Sequence, residues 1–61
     1  MRKGIIISPY FGLNVGEEVF VKDTYIIFTP GVEIYRTEEL SSFVVTTWDF
    51  DMLNECVKFV A

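Results

Sequence analysis

Histidine is absent from the 61 residues, cysteine occurs once, and five Lys or Arg stand against nine Asp or Glu. Each shortage removes a class of function. General acid–base chemistry at neutral pH is most often done by histidine, and serine and cysteine nucleophiles ordinarily depend on it as their base. Ser8, Ser41, Ser42 and Cys56 therefore lack an activator, and the chain is not expected to be an enzyme. A single cysteine cannot form a disulfide within the chain, and without histidine it leaves no ligand set for structural zinc. Cys56 is expected instead as a small buried hydrophobe in a protein kept in a reducing compartment.

Long apolar runs are missing as well, since nothing approaches the roughly 20 residues that cross a bilayer. Arg2 and Lys3 ahead of Ile5, Ile6 and Ile7 imitate the start of a secretion signal. That run ends at Ser8 and Pro9, well short of the about 7–15 apolar residues a signal peptide needs. No membrane partner is predicted, and the expected location is the cytoplasm, the host cytoplasm if the chain is phage-encoded.

The shortage of positive charge bears on partners. Phosphate neutralisation supplies most non-specific affinity for nucleic acid, and here only Arg2 and Lys3 are adjacent bases. Tyr10, Phe11, Tyr25, Tyr35 and Trp48 would suit a base-stacking platform. The net charge of −4 argues against that reading, so nucleic acid is not the expected partner. Gly12 and Gly16 bracket a loop, yet Glu17 and Glu18 stand where a phosphate loop needs lysine and a hydroxyl. Asp49 and Asp51 begin no calcium loop, because Leu53 interrupts the oxygen ligands. No cofactor or metal is predicted.

What the chain does have is apolar surface. Hydrophobic residues make up 51% of it and aromatics 16%. A domain of about 60 residues buries only about 60% of what its unfolded chain exposes, so part of this surface stays outside. A core of that size supplies about 3–5 kcal/mol, which small domains supplement with disulfides, metals or oligomers. With the first two removed, a partner protein or self-association is expected.

β-Branched and aromatic residues fall into five short runs, predicting strands at residues 4–8, 18–22, 24–29, 32–36 and 42–47. The three consecutive isoleucines suit a central strand covered on both faces. Asp23 is read as a tight turn, and Pro30-Gly31 as a type II turn closing a hairpin. In that hairpin Val32, Ile34 and Arg36 share one face, and Glu33 and Tyr35 the other. Thr37-Glu38-Glu39-Leu40 is expected to open one helical turn. At the C-terminus Phe50, Leu53, Val57 and Val60 fall at helical spacing, with Asp49 or Asp51 as cap. The predicted fold is mainly β (α+β): a small, strongly twisted antiparallel sheet or partly open SH3-like barrel of five strands, with a short C-terminal helix. The alternative turns residues 55–60 into a sixth strand that closes an all-β barrel. Gly16-Glu17-Glu18-Val19-Phe20-Val21 resembles the start of a strand in many small SH3-like barrels, and over those six residues it implies no function. One domain spans residues 1–61.

Two surfaces are candidates for partner binding. Trp48 heads the first, flanked by Asp49, Phe50 and Asp51, an apolar wedge with negative charge beside it that suits a basic, pocketed surface. Burial of Trp48 as a core anchor is the competing expectation. The second is the loop carrying Tyr10, Phe11 and Leu13. The expected function is a small acidic interaction protein that inhibits or modulates a larger one, by analogy of size and composition with the short acidic inhibitors of phages and mobile elements. The alternative is a homo-oligomeric structural unit, or one that holds a small ligand between identical chains.

Overall fold

The structure is a computed structural model and describes residues 1–36 and 42–60. Strands β1 (Arg2–Ile6), β2 (Glu18–Ile26), β3 (Thr29–Tyr35) and β4 (Phe43–Thr47) lead into helix α1 (Phe50–Cys56) and strand β5 (Val57–Phe59). Every pairing is antiparallel, in the order β4-β3-β2-β1-β5. The sheet is open, with β4 and β5 as its edges. It is mainly β with one short C-terminal helix, as the first reading of the sequence expects.

Alternation with a period of two decides which face is buried. Val19 and Val21 on β2, and Val32 and Ile34 on β3, point to one side and are at most 1% exposed. Ile6 and Val57, opposite each other across β1 and β5, extend that face. Leu53 and Cys56 cover it from α1, and Tyr10 and Leu13 cover it from the loop between β1 and β2. Each fully buried aliphatic side chain contributes about 1.5–3 kcal/mol. Glu33 and Tyr35 lie on the opposite face, where Tyr35 meets Phe43 edge-on at 5.6 Å between ring centres. A shift of register at Ile34 and Tyr35 lets Val44 as well as Val45 pack against the core.

Several expectations are corrected. Asp23 makes no turn: it lies mid-strand opposite Val32, and the two expected runs form one nine-residue strand. Pro30-Gly31 does not close the hairpin either, because these residues belong to β3 and pair with Tyr25 and Thr24. The closing turn is Ile27-Phe28, with φ of +48° and +65°. A turn at Pro30-Gly31 would set Ile34 near Ile27 and leave Val19 and Val21 unopposed. The observed register puts Ile34 opposite Val21 instead, so burial of four aliphatic residues outweighs local turn preference. Gly31 serves close packing, since a Cβ there would stand 2.6 Å from Ile26 Cδ1 and 3.0 Å from the Thr47 carbonyl.

β1 is interior to the sheet, between β2 and β5, as expected, but its isoleucines are covered unequally: Ile6 is buried, Ile5 half-buried and Ile7 exposed beyond the strand end. The all-β barrel is likewise replaced. Residues 50–56 are helical, and the segment after them pairs with β1, away from β4. The turn expected at residues 37–40 lies outside the described residues.

The seven-residue helix is too short to persist alone in water. Asp49 caps it, its carboxylate accepting from the Met52 amide at 3.1 Å. The Asp49 amide in turn donates to Thr47 Oγ1 at 3.1 Å, tying the helix start to the end of β4. Val57 ends the helix in extended conformation (φ −126°, ψ 126°), recruited to the sheet opposite Ile6. The helical spacing of Phe50, Leu53, Val57 and Val60 therefore holds only as far as Leu53. No described helix is long and apolar enough to cross a membrane.

Candidate docking surface

The turn from β4 into α1 presents its side chains outward. Trp48 is 60% exposed and takes no part in the core, and Asp49, Phe50, Asp51 and Met52 are exposed beside it. Their placement follows from the anchors on either side. Thr47 is buried as the last residue of β4 and Leu53 as the first core residue of α1, so the five between them span the rim. Asp51 sits in the first turn of the helix, where the positive end of the helix dipole favours a carboxylate.

The far half of the β2–β3 hairpin adjoins this rim. Past Val21 and Val32 the same sheet face continues as Asp23, Tyr25 and Pro30, beyond the reach of the core. An open cleft of about 330 Å³ results, lined by Asp23, Thr24, Tyr25, Pro30, Gly31 and Phe50. At its outer end the hairpin tip carries Ile27 and Phe28, 88% and 97% exposed. Sequence reasoning placed the turn three residues later and so missed both. Neither Gly nor Asn marks the position, and only the pairing phase reveals it.

The second candidate surface divides. Tyr10 and Leu13 exchange backbone hydrogen bonds, Tyr10 N to Leu13 O at 3.3 Å and Leu13 N to Tyr10 O at 2.8 Å. Phe11 and Gly12 make the turn between them with positive φ. That geometry sends Tyr10 and Leu13 into the core at 4% and 1% exposure, correcting their expected place on the surface. Phe11 stays outside and meets the Tyr10 ring edge-on at 4.5 Å. Burial pushes the Tyr10 hydroxyl above the usual tyrosine range, with hydrogen bonding toward Thr47 acting against it and the charges of Cys56 and Asp49 adding to it. The hydroxyl is nonetheless enclosed without a well-formed hydrogen bond among the described residues.

Charge is distributed unevenly. Arg2 pairs with Asp23 at 3.4 Å, Lys3 with Glu18 at 2.9 Å and Arg36 with Glu17 at 2.9 Å. Residues 42–57 carry Asp49, Asp51 and Glu55 and neither lysine nor arginine. The Trp48 rim is therefore apolar and acidic. Among the described residues no three Cys, Asp or Glu side chains gather as metal ligands, and Cys56 is buried. The arrangement is suited to contact. Comparison of the chain with protein-family models, with curated proteins and with solved structures finds no match.

Proposed function

We propose that this chain is a docking module that binds a larger protein and inhibits or modulates it. The contact runs through Trp48 and Phe50, with Asp49 and Asp51 beside them. The observation that carries this reading is the exposure of Trp48 at 60% within a stretch that holds acids and no base. Tryptophan is among the residues that most often dominate an interface when seated in a partner's pocket. Flanking carboxylates steer such a residue toward a basic rim and make the association rate depend on salt.

The test is co-purification from the source cell, comparing the wild type with Trp48→Ala and with Asp49→Asn/Asp51→Asn. A stoichiometric second polypeptide should accompany the wild type, be lost with Trp48→Ala and weaken with the double variant. Because Trp48 lies outside the core, Trp48→Ala should stay folded, which circular dichroism checks. Retention of the partner by a folded Trp48→Ala protein would sink the proposal.

A further inference from the structure

The β2–β3 hairpin carries a protruding apolar plug and, a few residues away, an apolar socket. We propose that two copies of this chain pair through it, Phe28 of each entering the cleft of the other between Tyr25, Pro30 and Phe50. This pairing shares Phe50 with the contact proposed above but rests on the hairpin tip, so Phe28→Ser tests the pairing alone and Trp48→Ala the docking role alone.

Three observations carry it. First, the tip is built at a cost that folding alone does not explain. Both central residues of the two-residue turn have positive φ, the geometry of the mirror-image turn that Asn-Gly or Gly-Gly fills without strain. A β-branched residue there is an outlier, yet position 27 is isoleucine. Its neighbour Phe28 is 97% exposed and so gains almost nothing from burial within its own chain. Strained backbone under exposed apolar side chains is the pattern of a site used in contact. The tip is also packed at its base, since Ile26 lies over Gly31, where a Cβ would stand 2.6 Å from Ile26 Cδ1.

Second, the socket matches the plug in chemistry. Its lining is mostly apolar or uncharged, and its one charged side chain, Asp23, is already engaged by Arg2 at 3.4 Å. An aromatic ring entering it meets no uncompensated charge. Between Lys22 and Arg36 the hairpin has no base, so it offers no attraction to an anionic membrane surface.

Third, the area suffices. Phe28 and Tyr25 are 97% and 77% exposed, and a buried aromatic covers about 150–250 Å². Adding Ile27, Pro30 and Phe50 brings each copy to about 500–600 Å², and the pair to the roughly 1,000 Å² at which specific interfaces begin. Because plug and socket belong to one hairpin, a two-fold axis beside it satisfies both at once and closes the assembly at two.

Sedimentation velocity of the intact chain, from low micromolar to millimolar, reads the result. The wild type should pass from monomer to dimer and form nothing larger. Phe28→Ser removes the plug, and Phe50→Asp spoils the socket while keeping an acid at the helix start. Each should weaken the dimer at least tenfold, by about 1.4 kcal/mol. A mixture of the two retains one intact plug and socket and should associate more tightly than either alone. Ile27→Asn/Phe28→Gly, which suits the turn, should be a well-folded monomer. A wild type still monomeric at millimolar concentration overturns the proposal, whether or not it binds vesicles. So does a dimer indifferent to either substitution, or a mixture no tighter than its components.

Discussion

Gly4 stands so close to Val57 that a Cβ at position 4 would lie 2.5 Å from Val57 Cγ1. The contact is diagonal across the β1–β5 pair, where Gly4 faces Phe59 and Ile6 faces Val57. It is the place where the C-terminal segment joins the sheet as its edge strand, and both partners are buried.

Gly4→Ala should therefore push β5 away from β1, because Val57 is stiff and enclosed and has little room to yield. An overpacked core typically loses about 1–3 kcal/mol. Urea denaturation should show the loss, and amide exchange should show Ile7 and Val60, which donate to Cys56 and Lys3, losing protection first. Unchanged exchange at both would mean that β5 is held by something else.

Leu53 is 1% exposed and, with Cys56, fixes α1 to the sheet. Leu53→Ala should cost about 2–5 kcal/mol, a large share of what so small a core supplies. Far-ultraviolet circular dichroism should report loss of the helical signal together with early unfolding.

At the hairpin tip the expected change has the opposite sign. Ile27→Asn/Phe28→Gly relieves left-handed strain of about 1–2 kcal/mol per residue and removes no internal packing from side chains 88% and 97% exposed. The melting temperature of the monomer should rise by about 4–8 °C for each kcal/mol gained. A fall would mean that the tip packs against its own chain.

Tyr10 has a folded-state pKa raised above the ordinary tyrosine value, chiefly by burial. In alkali the unfolded chain gives up this proton before the folded one, so stability is fully present below about pH 10 and declines as pH rises through the folded value. Denaturant midpoints measured across that range should fall for the wild type and fall less for Tyr10→Phe. Equal slopes would remove Tyr10 from the alkaline transition.

The elements built on simple alternation or capping were legible. Val32 and Ile34 share a buried face, Cys56 is buried, and Asp49, one of the two caps the pattern offered, caps the helix. The turns were not. Asp23 and Pro30-Gly31 carry strong local turn chemistry, yet they lie within strands because the nine-residue pairing of β2 with β3 outweighs it. Which of the candidate contact residues lie exposed was legible in part. Trp48, Asp49, Phe50 and Asp51 form a contiguous exposed rim, whereas Tyr10 and Leu13 turn inward because the Phe11-Gly12 turn aims them at the core.

Sequence alone determined the class: a β-rich chain with more apolar surface than 61 residues can cover, no histidine, and five bases against nine acids. Those are properties of composition and short-range pattern, and they hold in any register. Tertiary structure decided which apolar groups are spent inside and which remain outside. Sliding β3 along β2 changes every neighbour, and only the total burial of Ile6, Val19, Val21, Val32, Ile34 and Leu53 selects one alignment. That alignment leaves Phe28 at the tip and Trp48 on the rim, a consequence no local stretch of residues contains.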